Sequence, residues 1–360
     1  MRYVTEFRDS AVAAKLVDRI RALSPVKANL MEVCGTHTMA IARTGIKGLL
    51  PEGVFLISGP GCPVCVTPTR TVDEAIELAR NPGVILTTFG DMIRVPGTSS
   101  SLQHEKAAGR DIRVVYSTLD ALRIAEDNPD STVVFLAVGF ETTSPSIACS
   151  LQLAEKKGLD NYLILPAHKV IPPAMEALVS CDELSLDGFI CPGHVSTIIG
   201  SRPYEFLARE HGIPCVITGF EPLDVLQGIY MLLKQVSDGR AEVEIQYTRS
   251  VRSEGNELAQ KRLYEVFEVG DSTWRGIGTI PKSGLKLREA FDGYDAAKRF
   301  DLKVLESKDP PGCRCGDVLR GIMSPSECGL FGKTCTPEHP VGPCMVSSEG
   351  SCAAAHEYGV

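Results

Sequence analysis

The sequence contains neither an excess of basic residues nor a long apolar segment. Its 360 residues include 37 Lys and Arg against 45 Asp and Glu, which gives a formal net charge of −8. A nucleic-acid-binding protein needs a basic face that replaces the counterions of the phosphates, so this balance argues against that class. No apolar run approaches the roughly 18 residues of a transmembrane helix, and we therefore expect no membrane span.

The first 20 residues lack the apolar stretch of a signal peptide. They carry charges throughout and predict an amphipathic helix that is part of the fold. We therefore expect the protein in the cytoplasm, a reducing compartment in which structural disulfides are rare. In that setting the 13 cysteines indicate metal binding or redox chemistry.

Between about residues 28 and 235 a short apolar strand, a Gly- or Pro-rich turn and a helical pattern recur. Continuous apolar strands with intervening helices are typical of parallel sheets that are buried on both faces. The predicted strands are Leu30–Val33, Val54–Ser58, Val84–Thr87, Arg113–Tyr116, Val133–Val138, Tyr162–Leu165, Gly188–Ile190 and Cys215–Thr218. Four units followed by four more predict two similar α/β domains, 1–120 and 121–238, and the remainder, 239–360, predicts a Cys-rich lobe.

Residues capable of chemistry follow several of these strands. Cys34 and His37 come directly after the first strand. Cys62 and Cys65 follow the second strand, and His194 follows the seventh. Open parallel sheets place ligands at the carboxyl ends of their strands. We therefore expect these side chains to line one cleft between the two α/β domains.

The segment GPGCPVC, residues 59–65, is the sharpest local signal. Its glycines permit unusual backbone angles and its prolines stiffen the turn, so Cys62 and Cys65 lie on a rigid loop before a helix. A C-x-x-C in this position is either a dithiol/disulfide pair or half of a metal site. Half of a zinc knuckle is the weaker reading, because the sequence contains no second C-x-x-C.

The segment CGTHT, residues 34–38, places a thiol and an imidazole three residues apart at a strand-to-helix turn. The helix dipole is expected to lower the pKa of the Cys34 thiol and favour the thiolate. The pair is then either a nucleophile with its base or a soft-metal ligand set. A buried cysteine and a structural histidine without chemistry are the alternative, and the same alternative holds for His194.

Six cysteines crowd into the last 48 residues of the chain. They are Cys313, Cys315, Cys328, Cys335, Cys344 and Cys352. Zinc ribbons usually contain paired C-x-x-C units, which are absent here, whereas iron–sulfur clusters take four thiolates at irregular spacing. If four of the six cysteines bind such a cluster, two remain and can form a redox pair. A structural zinc lobe with spare cysteines is the alternative.

The chain resembles the HypD family of hydrogenase maturation proteins over essentially its whole length. The resemblance is carried by MEVCGTHT at 31–38, GPGCPVC at 59–65, CPGHVST at 191–197 and the tail from 313 to 352. It implies two Rossmann-like α/β domains and a third lobe that holds a 4Fe–4S cluster. It also implies assembly of the Fe(CN)2CO unit of nickel–iron hydrogenase with the small chaperone HypC, and delivery of cyanide by HypE–HypF.

The resemblance also implies roles for the residues near the first two strands. Cys34 would bind the iron that receives the CN and CO ligands, with a cysteine of the HypC-like partner as a second thiolate. Cys62 and Cys65 would cycle between dithiol and disulfide. His37 and His194 would position ligands or shuttle protons.

For the tail, the resemblance sets one member of the C-x-C pair aside as redox-active. Cys315 and Cys344 are then the redox pair. The expected cluster ligands are Cys313, Cys328, Cys335 and Cys352. A stand-alone iron–sulfur thiol oxidoreductase and a non-catalytic scaffold with a structural metal are the alternative functions.

The need to pass on the decorated iron predicts an open docking surface. We expect a monomer that forms a one-to-one complex with the partner. The expected surface is apolar and lies beside the Cys34 and Cys62 loops, with Ile41 on the helix after Cys34 facing the partner.

Overall fold

The computed structural model describes residues 5–23, 26–181, 183–303 and 306–359. Its strands are β1 (Ala28–Glu32), β2 (Val54–Ser58), β3 (Val84–Thr88), β4 (Ile112–Val114), β5 (Thr132–Gly139), β6 (Tyr162–His168), β7 (Gly188–Pro192), β8 (Cys215–Thr218), β9 (Val243–Ile245), β10 (Phe267–Trp274) and β11 (Gly278–Leu287). The eight strands predicted from apolar runs correspond to β1–β8, and all eight pair in parallel.

Helices follow most of the strands. They are α1 (Ser10–Ala22), α2 (Gly35–Thr44), α3 (Pro63–Val66), α4 (Thr69–Arg80), α5 (Leu102–Ala107), α6 (Thr118–Asp127), α7 (Ser144–Lys157), α8 (Ile171–Val179), α9 (Gly193–Ile199), α10 (Glu205–His211), α11 (Pro222–Asp238), α12 (Glu257–Val266), α13 (Ala296–Arg299), α14 (Cys315–Leu319) and α15 (Ser351–Tyr358). Short 3-10 helices lie at Glu6–Arg8, Ile46–Leu49, Gly90–Arg94, Arg202–Tyr204, Glu289–Tyr294, Pro325–Glu327 and Pro343–Met345. The predicted N-terminal helix is α1, and residues 1–4 of that prediction lie outside the described residues.

The first sheet has the strand order β2-β1-β7-β8-β9 and is parallel throughout. From β1 the chain goes to β2 on one side, while β7 pairs with β1 on the other side. The strand order therefore reverses between β1 and β7. Ligands in open α/β sheets bind in the crevice outside the carboxyl ends of the strands at such a point.

The second sheet has the order β4-β3-β5-β6 and is also parallel. Its central strand β5 is buried along almost its whole length, which agrees with its continuous apolar sequence. Helices α6 and α7 pack on one face of this sheet, and α4 packs on the other. Both sheets therefore confirm the α/β class.

The strands are grouped differently from the expected four and four. The chain leaves the first sheet after β2, builds β3–β6 of the second sheet, and returns to the first sheet at β7. The predicted grouping into 1–120 and 121–238 assumed that consecutive strands share a sheet. Because β1 pairs with β7, the two sheets do not divide the chain at residue 120.

The segment after residue 239 also departs from the expected single lobe. Strand β9 extends the first sheet, whereas α12 and the β10–β11 hairpin bury their apolar side chains against α7 and the second sheet. Only the tail from about residue 306 forms a Cys-rich, loop-dominated region, with α14 and α15 as its helices. Among the described residues no helix combines the length and the apolar character that a membrane crossing requires.

Candidate functional site

Cys34 lies at the point where the strand order of the first sheet reverses. It is the N-cap residue of α2 and follows the carboxyl end of β1, while His194 follows the neighbouring strand β7. Cys62 lies beyond the end of β2, on the other side of β1. Three of the predicted loops therefore meet at one edge, which we call the carboxyl edge of the first sheet.

The GPGCPVC loop touches the backbone of Cys34. The Gly35 N–H donates to the Gly61 carbonyl at 2.9 Å. A Cβ added to Gly61 would lie 2.0 Å from the Cys34 nitrogen. Only glycine permits this approach, which explains why the loop between β2 and α3 carries a glycine at that position.

The buried carboxyl group of Glu32 accepts a hydrogen bond from the backbone of Cys34. The Cys34 N–H donates to Glu32 Oε2 at 3.0 Å, and the Thr38 hydroxyl donates to Glu32 Oε1 at 2.5 Å. Burial raises the pKa of Glu32 to about 7. Sequence reasoning missed Glu32, although its place as the last residue of β1, two positions before Cys34, is a usable signal.

The Cys34 thiol is protonated at neutral pH, contrary to the expected thiolate. Cys34 is 8% exposed. Burial raises its pKa to about 12, and the carboxyl groups of Glu349 and Glu32 add to the rise. Backbone N–H groups at the start of α2 oppose this shift but are outweighed. The prediction of a lowered pKa was wrong because it considered the helix dipole without burial.

His37 is a neutral, fully buried histidine. Its Nε2 lies 3.0 Å from the Gly219 carbonyl and 2.8 Å from the Thr218 hydroxyl. Burial lowers its pKa to about 4. Because a carbonyl oxygen only accepts, Nε2 carries the proton and Nδ1 presents a lone pair. Nδ1 has no hydrogen-bond partner among the described residues.

Phe220 links the two predicted histidines. Its ring stacks on His37 at a centroid distance of 4.6 Å and on His194 at 3.9 Å. His194 itself is exposed, and desolvation lowers its pKa while Glu349 opposes the shift. Sequence reasoning missed Phe220, although it follows β8 on a Gly-Phe turn at the same edge of the sheet.

Glu349 brings a carboxylate from the tail to this edge. Its Oε1 accepts from the Thr36 hydroxyl at 2.7 Å. A Cβ added to Gly35 would lie 2.6 Å from the Glu349 Cβ. The contact joins residues more than 300 positions apart, so no sequence signal could have found it.

The predicted docking residue Ile41 does not face solvent. It is 2% exposed and belongs to the core between the first sheet and helices α1 and α11. The prediction was wrong because α2 turns this face toward the sheet. Apolar exposure in this part of the fold lies instead at Phe55, which is 61% exposed on the edge strand β2.

Cys62 and Cys65 form a buried thiol pair at the start of α3, where Cys62 is the N-cap residue. The Cys65 N–H points to the Cys62 sulfur at 3.3 Å, and the Cys65 thiol donates to the Pro343 carbonyl at 3.8 Å. Burial raises the pKa of Cys65 well above its ordinary value. The contact with Pro343 places this pair against the Cys-rich tail.

The tail continues the thiols of α3 into a row. The Cys344 thiol interacts with those of Cys315, Cys352 and Cys65; the first contact lowers its pKa, but the other two and burial raise it well above its ordinary value. Cys315 in turn interacts with Cys313. We call this arrangement the thiol row, and its members are Cys62, Cys65, Cys344, Cys315 and Cys313. All its cysteines are free thiols.

One end of the thiol row opens into a cavity lined by cysteines. The lining thiols are Cys313, Cys315, Cys328, Cys335 and Cys352, and the apolar closure comes from Leu330, Phe331 and Met345. The sulfurs crowd one glycine, because a Cβ on Gly342 would lie 2.5 Å from the Cys313 Sγ. The Val341 N–H points to the Cys335 sulfur at 3.3 Å. Thiolate donors, N–H···S contacts and apolar walls fit an iron–sulfur cluster.

The cysteines surround this cavity and do not converge on a point. In the ranges that the structure describes, no group of three or more His, Cys, Asp or Glu side chains is arranged around a single metal ion. All four predicted cluster ligands, Cys313, Cys328, Cys335 and Cys352, line the same cavity. Their role as ligands stays a prediction.

Comparison with known proteins places this chain among hydrogenase maturation factors. The family model for HypD, described as the hydrogenase formation hypA family, matches residues 11–359. Hydrogenase maturation factor HypD2 of Bradyrhizobium diazoefficiens is 51% identical over 369 residues, which cover 100% of this chain and 97% of the relative. Hydrogenase maturation factor HypD of Rhizobium leguminosarum is 50% identical over 369 residues, which cover 100% of this chain and 96% of the relative. A putative hydrogenase expression/formation protein of Methanocaldococcus jannaschii is 46% identical over 352 residues, which cover 97% of this chain and 98% of the relative.

A match over nearly the whole chain and identities near one half confirm the resemblance carried by the Cys34, Cys62 and tail motifs. The chain belongs to the HypD family of hydrogenase maturation factors.

Proposed function

We propose that this hydrogenase maturation factor is the scaffold on which the Fe(CN)2CO unit of nickel–iron hydrogenase is assembled. The observation that supports the proposal best is the meeting of Cys34, the two histidines and the C-x-x-C loop at the carboxyl edge of the first sheet. Soft thiolates are suitable ligands for iron that carries strong-field cyanide and CO. The iron unit is cargo, bound during assembly and then passed on.

Cys34 is the proposed iron ligand from this chain. Since its pKa is raised to about 12, iron binding must displace a proton from the thiol. Glu349 is half-buried and acts electrostatically on both Cys34 and His194, so it lies close to both side chains. We propose that the Cys34 proton is transferred to solvent through the Glu349 carboxylate. The positive charge of the iron then takes the place of the proton beside this carboxylate.

The two histidines have different proposed roles because their protonation states differ. His37 stays neutral over the physiological pH range, so it orients α2 and offers only a lone pair at Nδ1. His194 is exposed and stacked on Phe220, which fixes the plane of its ring. It can therefore exchange protons with solvent while its ring stays in place, which suits proton transfer to a ligand on the iron.

The order of the thiol row suggests a route for thiol–disulfide exchange. In the proposed cycle Cys62 and Cys65 transfer two electrons and two protons to the iron unit under assembly and form a disulfide. The Cys344 sulfur then attacks Cys65 and releases the Cys62 thiol, and Cys315 attacks Cys344 and releases the Cys65 thiol. The net result is a Cys315–Cys344 disulfide and a restored C-x-x-C dithiol.

The Cys-rich cavity is the proposed site of a 4Fe–4S cluster held by Cys313, Cys328, Cys335 and Cys352. When bound there, such a cluster supplies one-electron transfer. Cys315 lines the same cavity and also interacts with Cys344. Cys352 has the same two contacts, so the contacts are compatible with a Cys315–Cys344 pair, and the choice of Cys315 over Cys352 rests on the family resemblance.

The proposed partners are a HypC-like chaperone, which supplies a second thiolate, and HypE–HypF as cyanide donors. Edge strand β2 lies in the sheet that carries Cys34, and its exposed Phe55 gives a docking protein an apolar contact. The thiol row also favours a second candidate function, a stand-alone iron–sulfur thiol oxidoreductase. That enzyme would need the row and the cavity but no iron at Cys34.

Infrared spectroscopy of the protein purified anaerobically with its partner separates the two functions. We expect CN and CO stretching bands in the wild type and their loss in Cys34→Ala. Cys149→Ala is the matched control, because this free cysteine is exposed on α7, away from the thiol row. Bands that persist in Cys34→Ala would remove this residue from the iron site, and a wild type that never shows bands would favour the oxidoreductase.

A further inference from the structure

The turn of the β10–β11 hairpin carries a buried arginine that the proposed chemistry does not use. The Arg275 side chain is 2% exposed. Its Nε donates to the Thr67 carbonyl at 2.8 Å and its Nη1 donates to Asp309 Oδ1 at 3.0 Å. Its Nη2 is buried and has no hydrogen-bond partner in the described part of the chain. A buried guanidinium with an unused donor calls for an explanation.

The hairpin turn around Arg275 contacts both the C-x-x-C helix and the C-x-C segment of the thiol row. Its backbone N–H donates to the Val66 carbonyl at 2.9 Å, and Val66 is the last residue of the C-x-x-C helix α3. The next residue of the turn, Gly276, meets the C-x-C segment so closely that an added Cβ would lie 2.1 Å from the Gly316 Cα. The hairpin turn therefore lies between α3 and the start of α14.

The charge of Arg275 reaches the Cys-rich cavity. Gly316, which the hairpin turn contacts, directly follows Cys315, and both Cys313 and Cys315 line the cavity. Arg275 therefore lies within electrostatic range of a proposed cluster ligand. A cation in that position favours any process that adds negative charge to the cavity.

The counterion of Arg275 does not cancel this effect. Asp309 is the carboxylate in its ion pair, and the Asp309 side chain is 58% exposed. Water screens the charge of an exposed carboxylate, whereas the buried guanidinium acts through a medium of low dielectric constant. Arg314, which also lines the cavity, and Arg320 differ in exposure: their side chains are 55% and 29% exposed, and their shared partner Asp317 is only 19% exposed.

We propose that Arg275 sets the redox balance of the Cys-rich cavity by stabilising its reduced, more negative state. The inference rests on the proposed function, because it requires a cluster in the cavity. Arg275 touches none of the reacting atoms, so it is a positioning and electrostatic residue. The same side chain holds α3 against the tail, which keeps Cys65 beside Cys344.

The test is the midpoint potential of the reconstituted cluster, followed by its visible absorption during redox titration. Arg275→Gln should lower the potential by an amount equal to at least a tenfold change in the reduction equilibrium, about 59 mV for one electron. Asp309→Asn should raise it by a smaller amount, because water already screens this carboxylate; the amide still accepts from Thr69 and Arg275 but carries no negative charge. Opposite shifts are the mark of an electrostatic effect.

Two further variants separate charge from structure. Arg275→Lys keeps the positive charge but loses the contacts of the planar guanidinium. The midpoint potential of this variant should therefore stay close to that of the wild type. Arg320→Gln removes a guanidinium from the same lobe, and its effect should be smaller because the Arg320 side chain is 29% exposed and water screens its charge. If Arg275→Gln loses the cluster or the fold, the Asp309→Asn shift decides the question.

The outcomes distinguish the inference from the function on which it rests. Shifts of the same sign in Arg275→Gln and Asp309→Asn, or no shift in either, would overturn the inference and leave the cluster proposal standing. A wild-type protein that takes up no iron and sulfide on reconstitution would overturn the cluster proposal itself, and the inference with it.

Discussion

Gly35→Ala tests whether the tail must lie directly against the start of α2. A Cβ at this position would meet the Glu349 Cβ at 2.6 Å and the Glu349 carbonyl oxygen at 2.8 Å. Both distances are shorter than van der Waals contact, and one of the two atoms is backbone. The tail loop must therefore move away from α2 to accommodate a methyl group.

The expected cost follows from two contributions. Overpacking of a close contact costs about 1–3 kcal/mol. Displacement of Glu349 also breaks its hydrogen bond from the Thr36 hydroxyl, and a hydrogen bond to a charged group is worth about 1.5–3 kcal/mol. Since the loop can relax partly, we expect the free energy of unfolding to fall by about 2–4 kcal/mol.

The assay is urea unfolding of the reduced protein at neutral pH, with Gly48→Ala as the matched control. Gly48 lies in the 3-10 helix that follows α2, and an added Cβ there meets nothing within 4 Å. Thr36→Val removes the hydrogen bond without the clash and should cost less than Gly35→Ala. A Gly35→Ala protein as stable as the Gly48→Ala protein would refute the argument that the tail is seated on α2.

Three other outcomes are expected. Cys344→Ser should keep the cluster absorption but block reduction of the C-x-x-C disulfide, measured by thiol alkylation and mass spectrometry; loss of the absorption would make Cys344 a ligand. Phe55→Asp should weaken the complex with a HypC-like partner at least tenfold in size-exclusion chromatography, whereas Tyr116→Asp, on a 93% exposed residue beyond β4 of the other sheet, should not; equal elution of both complexes would place the docking face elsewhere. Burial raises the pKa of Glu141 from 4.5 to about 7. Between these two pH values the carboxyl group is protonated in the folded protein but ionised in the unfolded chain, so the free energy of unfolding falls as the pH rises from 4.5 to about 7. Glu141→Gln should recover up to about 3 kcal/mol at pH 8 relative to pH 5 in urea unfolding, and an unchanged pH dependence would show that burial does not perturb this group.

Local sequence patterns were sufficient to identify the strands and the loops that carry the candidate site residues. Apolar runs bounded by Gly and Pro identified all eight strands from β1 to β8, because a strand buried on both faces needs apolar side chains on both faces. The Gly-rich turns after β1 and β2 also located Cys34 and Cys62. These signals are local, so they are readable without knowledge of neighbours in space.

The grouping of the strands into sheets depends on contacts that exist only in the folded protein. Nothing in the sequence of β1 shows that its second partner is β7, since any buried parallel strand presents the same backbone groups to its neighbour. Consecutive strands were therefore assigned to one sheet, whereas the chain builds the second sheet between two visits to the first.

The same limit applies to the electrostatics and the distant contacts of the site. A helix start alone predicts a lowered pKa for Cys34, but burial and the carboxylates of Glu32 and Glu349 reverse the sign. Glu349 and Arg275 act on residues far away in the chain, and their contacts exist only because the tail and the hairpin turn fold back onto α2 and α3. Spacing identified the thiols, and packing alone placed five of them in one row.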